Sequence, residues 1–226
     1  MNVTGQLPSR RVAETRRSIV VVEDHPTVRE GLCLVLEREG FAVVGRAGTA
    51  EAGHAAIVAA QPSVALIDVD LPDGSGVELT RRLLRRDSRF GVLLYTGLDD
   101  PQVLEDALAS GARGVTLKTS APDTVLNAAR AVAAGGTFVD PGVRARLAAA
   151  AGAEGADPSP ERVLSVRERE VLGHLAEGRS IEEIAAELVL STETIRTHVR
   201  NAMGKLGTRT RAHAIVVALR RGELAL

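Results

Sequence analysis

The chain has a single cysteine, Cys33, among its 226 residues, so an internal disulfide is excluded. That thiol stands between Leu32 and Leu34, with Val35 following, and reads as a packed core group suited to a reducing compartment. Long apolar runs are missing as well, since none approaches the ~20 residues that span a bilayer. No secretory core follows MNVTGQLPSRRVAETRR, because the next stretch, SIVVV, runs into acids. A soluble protein of the cytoplasm with no membrane partner is expected, which also cancels the Asn2-Val3-Thr4 sequon. Net charge is scarce, at −1, but it is spread unevenly. From Arg162 onward 11 Lys+Arg face 8 Asp+Glu, an excess that hints at a polyanion for the C-terminal part. No repeat of solenoid length is present.

What is there suits two domains, each large enough to bury a core without staples. From Ser18 the runs SIVVV, FAVVG, SVALIDV, GVLLYTG and GVTLK are apolar on both faces, as strands inside a parallel sheet must be. Helical segments separate them. In HPTVREGLCLVLEREG, for example, Val28, Leu32, Val35 and Leu36 share one face and Gly40 ends the helix. Five such units predict an α/β domain, a doubly wound five-stranded parallel sheet, over residues 18–136. Residues 1–17 read as a disordered arm, and 137–161 as a linker holding at most one short helix. Residues 162–226 read as a small all-α domain. Its start signals are the capping boxes Ser165-x-x-Glu168 and Ser180-x-x-Glu183, and its stops are Gly178 and Gly207.

Ligands of an open parallel sheet bind beyond the carboxyl ends of its strands. Those ends carry Glu23-Asp24, Asp68, Thr96 and Lys118. Clustered carboxylates repel one another unless a hard cation neutralises them, and magnesium, held by a few carboxylates and water, is the natural occupant. With such an ion in place an aspartate oxygen can attack phosphorus, while Lys118 pairs with the new charge and Thr96 donates a hydrogen bond. Isolated acids nearby, Asp70, Asp73 and Asp99, read as turn formers or caps. His25 reads as the start of the first helix.

Glu23-Asp24, Asp68 with Leu71-Pro72-Asp73-Gly74, Thr96-Gly97 and Lys118 together resemble the receiver domain of two-component response regulators, a flavodoxin-like fold. The resemblance implies that Asp68 accepts a phosphoryl group from a sensor histidine kinase, that Glu23, Asp24 and Asp68 hold Mg2+, and that Thr96 and Lys118 read out the modification. One position departs from the pattern: Val115 stands where receivers place an aromatic, three residues before the lysine. Tyr95 lies next to Thr96 but on the opposite side of its strand. A rival reading takes Asp68-x-Asp70 as the nucleophile motif of a haloacid-dehalogenase-type phosphatase; Pro72 and the unexplained Glu23-Asp24 speak against it.

In the C-terminal part SIEEIAAELVL, a junction at Ser191 and TETIRTHVRNAMGKLG form a minimal helix-turn-helix. Ile195, Val199, Met203 with Ala202 beside it, and Leu206 make the buried stripe, opposite Arg196, Thr197 and Arg200. An arginine can fork onto guanine and a threonine methyl can touch thymine. Thr192 and Thr194, at the start of the helix, suit a backbone phosphate, and Lys205 and Arg209 add longer-range contacts. Glu193 on the same face would repel phosphate. Leu164-Ser165-x-Arg167-Glu168-x-Glu170-Val171-Leu172, Glu183-Ile184-Ala185 and Thr194-Ile195-Arg196-Thr197-His198-Val199 resemble the LuxR-type helix-turn-helix. With the receiver in front, the chain is similar to NarL/FixJ-type regulators. That likeness implies promoter DNA and RNA polymerase as partners, a homodimer on activation, no enzyme, and a closing helix, HAIVVALRRGEL, that pairs two DNA-binding domains. Given Val115, the alternative is a regulator that binds DNA without phosphorylation.

Overall fold

The computed structural model describes residues 17–86, 89–97, 100–153 and 163–224. The arm, with the sequon and Arg10, Arg11 and Arg16, lies outside them, as does Asp99. Each apolar run becomes a strand: β1 (Ser18–Val22), β2 (Ala42–Ala47), β3 (Val64–Asp68), and, after the two-residue hairpin β4 (Asp70–Leu71) and β5 (Gly74–Ser75), β6 (Gly91–Thr96) and β7 (Gly114–Leu117). Between them run α1 (Pro26–Arg38), α2 (Ala50–Ala60), α3 (Gly76–Arg86) and α4 (Pro101–Ala109), and α5 (Pro122–Ala133) follows β7.

The sheet has six strands rather than five. Its order is β2-β1-β3-β6-β7-β8, all parallel, with β8 (Phe138–Val139) added beside β7. The residues expected to be a linker thus form this edge strand and then α6 (Pro141–Ala153). Asp140 fixes the join: it is buried and accepts hydrogen bonds from Thr116 Oγ1 (2.9 Å), Ser120 Oγ (2.6 Å) and the Gly142 amide (2.7 Å). Three donors are thereby satisfied by one carboxylate, which ties the segment after α5 to the end of β7.

Alternate side chains of each strand pass to opposite faces, and the helices sort accordingly. Ile19, Val21, Leu66, Leu93 and Tyr95 pack with Cys33 and Leu36 of α1 and with Val125, Leu126 and Val132 of α5. Val20, Ile67, Val92, Leu94 and Val115 pack with Ile57, Leu83 and Leu104 on the other side, where Val143 and Leu147 of α6 join them. Cys33 is a core residue, and burial pushes its thiol up. The inward face of α1 runs through Cys33 and Leu36; Val28 and Val35, expected there, are 36% and 37% exposed.

The C-terminal domain comprises α7 (Val166–Ala176), α8 (Ile181–Glu187), α9 (Thr192–Leu206) and α10 (Arg211–Arg220). Both capping boxes form, and Gly178 and Gly207 take the left-handed conformation (φ 86° and 69°) that ends a helix. The buried stripe of α9 is Ile195, Val199, Ala202 and Leu206; Met203, placed in it from the sequence, is only half-buried. Val189, in the α8–α9 turn, has φ 54° although β-branched, and is 88% exposed. A left-handed β-branched residue is strained and here gains no packing in return. Val189→Gly is expected to stabilise the domain by about 1 kcal/mol, visible as a higher urea midpoint at unchanged slope.

The two domains touch. Ala212 and Val216 of α10 enter the core that α4 and α6 share with the sheet, whereas Ala214, Ile215 and Ala218 belong to the core of their own domain. Thr210 Oγ1 donates to the Leu108 carbonyl at the end of α4, and Arg220 pairs with Glu105.

Candidate functional site

The strand order reverses between β1 and β3, and the cleft at their carboxyl ends holds the expected acids. Glu23 and Asp68 are buried to within 1%. Lys118, just past β7, is brought alongside because its amide bonds the Thr96 carbonyl (2.7 Å) as the ladder β6·β7 ends. Its ammonium donates to Asp68 Oδ2 at 2.7 Å and to Glu23 Oε1 at 3.0 Å. Thr96 is fully buried at the tip of β6. Glu23, Asp68, Thr96 and Lys118, far apart in sequence, thus come to one end of the sheet, whereas Asp24 turns away from Lys118 toward His25, with Nδ1 to Oδ1 at 2.6 Å.

Charge in this cleft is unbalanced, because two buried carboxylates share one lysine and a third, Asp24, stands beside them. Burial pushes the Asp68 carboxyl above the ordinary range, Glu23 adding to the effect and Lys118 opposing it. Burial would lower the Lys118 ammonium, but its bonds to Asp68 and Glu23 outweigh this and raise it, so it stays protonated. At Asp24 burial, the largest single effect, would raise the carboxyl, but its bonds to His25 and Glu23 together outweigh it and hold the carboxyl low. Glu23 Oε2 is buried with no hydrogen bond in line, although Lys118 Nζ stands 2.9 Å away. An orphaned carboxylate oxygen beside two further acids fits a hard divalent cation, and oxygen donors of this kind suit magnesium. Glu23, Asp24 and His25 offer atoms within 4.8 Å of one another. The imidazole was read from sequence as a helix start only; it occupies that position, but its ring also contacts both acids.

Two neighbours hold the acceptor loop. Gly76 comes so close that a Cβ would lie 1.9 Å from the Asp68 carbonyl oxygen, so only glycine fits. Asp73 caps α2 from a distance, accepting from the amides of Ala50 (2.6 Å) and Glu51 (3.0 Å). Val115 is fully buried, leaving no aromatic at that position. Tyr95 does lie on the α1/α5 face, yet its ring centroid is 5.7 Å from Lys118 Nζ, within reach of a cation–π contact that strand alternation alone does not reveal.

At the other candidate surface, Ser191 caps α9 by accepting from the Thr194 amide (3.0 Å), and its hydroxyl meets that of Thr194 at 2.8 Å. Arg196, Thr197 and Arg200 are exposed on one face. Glu193 lies 3.7 Å from Arg196 and 3.8 Å from Arg200, while Glu182 is 3.6 Å from Arg196. Lys205 is otherwise employed. It donates to Glu168 Oε2 at 2.8 Å, holding the buried capping glutamate's carboxyl low against the opposing effect of burial. Lys205→Met is therefore expected to destabilise the domain by about 1 to 2 kcal/mol in chemical denaturation, less than a fully buried pair would lose, and to leave the salt dependence of DNA binding unchanged. Arg209 is exposed beyond the end of α9, at the junction with the receiver.

Among the described residues no helix is long and apolar enough to cross a membrane. The family described as response regulator receiver domain matches residues 19–130, and the family of bacterial regulatory proteins, luxR family, matches 162–218. A probable transcriptional regulatory protein NarL of Mycobacterium tuberculosis is 37% identical over 89% of this chain and 93% of its own. The DNA-binding transcriptional activator DevR/DosR of the same species is 34% identical over 88% and 93%. Among solved structures, the RcsB response regulator in complex with DNA is similar over 91% of this chain and 98% of its own, at 27% identity and TM-score 0.56. A second structure of an RcsB response regulator, from Salmonella typhimurium, is similar over 86% of this chain and 93% of its own, at 29% identity and TM-score 0.56. These relatives are transcriptional regulators rather than enzymes, which removes the phosphatase reading.

Proposed function

The chain belongs to the LuxR-type two-component response regulators, and on that premise we propose that it is a transcription factor switched by phosphorylation of Asp68. The observation carrying this reading is the grip of Lys118 on both Glu23 and Asp68, beside a Glu23 oxygen that lacks a donor. A carboxylate oxygen of Asp68 attacks the phosphorus of a phosphohistidine on a sensor histidine kinase; the new P–O bond forms as the P–N bond breaks, and the histidine nitrogen leaves with the electron pair. Mg2+, held by Glu23, Asp24 and Asp68, would neutralise charge on the entering phosphoryl group. Lys118 then transfers its hydrogen bond from Asp68 Oδ2 to a phosphoryl oxygen, and the Thr96 hydroxyl donates to another.

Readout has a physical route. Thr96 ends β6, and the chain returns as α4, whose Leu104 and Leu108 lie in the same core as Ala212 and Val216 of α10. The closing helix expected to pair two DNA-binding domains is thus covered by the receiver of its own chain. Phosphorylation shifts the balance away from this docked arrangement, α10 becomes available to a second copy, and two α9 helices enter successive major grooves of promoter DNA. Arg196, Thr197 and Arg200 supply the base contacts, with Thr194 and Arg209 toward the backbone. The protein acts in the cytoplasm, with RNA polymerase as a further partner at the promoter.

A second reading is favoured by one observation: buried Val115 provides no rotating aromatic, so the receiver works as a passive pairing module. Sedimentation with Mg2+, with and without beryllofluoride, separates the two. We expect a monomer that becomes a dimer when the phosphoryl mimic is added. An identical distribution in both samples would favour the passive receiver.

A further inference from the structure

Between the end of β1 at Val22 and the start of α1 at Pro26 the chain makes a short turn, and both Glu23 and Asp24 are mounted on it. Part of the turn is held by amides. That of Glu23 donates to the Ala47 carbonyl (3.0 Å), that of His25 to Glu23 Oε1 (3.2 Å), and that of Arg29 to the His25 carbonyl (3.0 Å). The carbonyls of the two acids are taken by a side chain instead: Arg29 Nη1, from α1, donates to the Glu23 carbonyl at 2.6 Å and to the Asp24 carbonyl at 3.4 Å. We propose that Arg29 is a positioning residue for the divalent cation of the cleft, a role that rests on the reading of Asp68 and its Mg2+ above: it fixes the backbone that carries Glu23 and Asp24 and thereby sets how tightly the metal binds.

Two observations on different residues carry this role. The first is the pair of bonds itself, in which a charged donor grips neutral carbonyls and so makes the stronger kind of hydrogen bond. A carboxylate is aimed only as well as its main chain is fixed. With the turn clamped, Asp24, which points toward His25, reaches a metal by side-chain rotation alone. The second observation is Gly48, in the turn from β2 to α2. A Cβ there would lie 3.1 Å from Arg29 Nη1, tighter than ordinary contact, with the Glu23 carbonyl oxygen 3.9 Å away. Gly48 is not among the glycines with positive φ, so the backbone does not require glycine at this position. What glycine supplies is room for the guanidinium.

Charge and position lead to opposite signs. A guanidinium repels a second cation, so if Arg29 acted by its charge, losing it would tighten metal binding. If it acts by holding the turn, its loss frees Glu23 and Asp24, the metal must order them on binding, and affinity falls. The expected fall is about tenfold, the lower end of the usual scale for a group that orients metal ligands. Asp68 and Thr96 end β3 and β6, and Lys118 follows β7; none of the three is a partner of the Arg29 bonds, so phosphoryl transfer at saturating metal is left as it was. One nitrogen makes both contacts, with no planar fork involved, so a lysine ammonium can stand in for it.

The test is calorimetric titration of the full chain with magnesium chloride, paired with the rate of labelling by acetyl phosphate at saturating magnesium. Arg29→Ala should raise the magnesium Kd about tenfold and leave the saturated labelling rate unchanged, and Arg29→Lys should restore most of the affinity. A merely damaged fold would lower the number of binding sites and the saturated rate together, which circular dichroism checks independently. Gly48→Val, with Arg29 intact, should push the guanidinium aside and weaken magnesium in the same direction; it carries the readout if Arg29→Ala fails to fold. An unchanged or tighter Kd in Arg29→Ala, or a lower saturated rate at unchanged Kd, overturns the proposal. A parent chain that binds magnesium yet takes no label on Asp68 sinks the phosphorylation reading alone, whereas one that binds no magnesium sinks both.

Discussion

Asp68→Asn is expected to abolish labelling by acetyl phosphate in the presence of magnesium and, at the same time, to raise the melting temperature at neutral pH. The first effect removes the nucleophilic oxygen; the amide that replaces it holds its lone pairs in resonance and cannot take the phosphoryl group. The second follows from the electrostatics of the cleft. Burial holds the Asp68 carboxyl above its unfolded-state value, so the folded chain binds a proton more readily than the unfolded one. Stability linked to this proton is fully present below about pH 4, the ordinary range of an aspartate, and is lost as pH rises through the folded-state value. At neutral pH the ionised side chain therefore costs stability, which a neutral isostere recovers. The gap between variant and parent should close as pH falls through the titration of Asp68. Added magnesium should narrow it from the other side, stabilising the parent more than the variant. A variant that lost labelling because it was misfolded would melt lower, so the paired readout separates chemistry from damage. Labelling that persists on another residue would remove Asp68 from its role.

Much of this cleft is legible in the sequence because strand ends are physically marked. A run such as Ala65–Asp68 is apolar until it meets the cleft, and the sheet's winding then dictates where its last residue must go. The parts that were not legible depend on contacts made at a distance. Strand β8 is two residues long, too short for any period to show, and among the described residues α6 buries only Val143 and Leu147 in the receiver core, so its alanine-rich sequence looks the same as a linker. What orders this segment is Asp140 reaching Thr116 and Ser120 some twenty residues back. Met203, expected in the buried stripe with Ala202 beside it, packs against that core but is only partly covered, for a related reason. It lies one position from Ala202, close enough on a helix for either to take the core, and the receiver's presence at the junction gives the longer side chain another place to go. Lys205 looks like a phosphate contact until Glu168, 37 residues earlier, is seen to claim its ammonium.

Arg196→Ala and Arg200→Ala are each expected to lower specific DNA affinity by about 1 to 3 kcal/mol, or roughly 5- to 150-fold, and to relax discrimination between cognate and scrambled sites. In the free protein both guanidinium groups sit near Glu193, and Arg196 also near Glu182, at 3.6 to 3.8 Å. All of these side chains are half exposed or more, so the pairs contribute little and yield readily to a base edge that accepts a bidentate fork. Glu193 thus acts less as a barrier to DNA than as a weak placeholder, keeping the two arginines on the same face and at the same spacing. Glu193→Ala should tighten binding to any duplex, because removing an acid beside phosphates acts without regard to sequence, and specificity should stay level or fall. The arginine variants should do the reverse, losing more affinity for the cognate site than for random DNA. Competition binding across a salt series tells them apart: a base contact lowers the specificity ratio, whereas a phosphate contact lowers the salt slope by about one per residue. If Arg196→Ala and Arg200→Ala changed only the slope, these residues would belong to the backbone contacts and the base reading would have to lie elsewhere on α9.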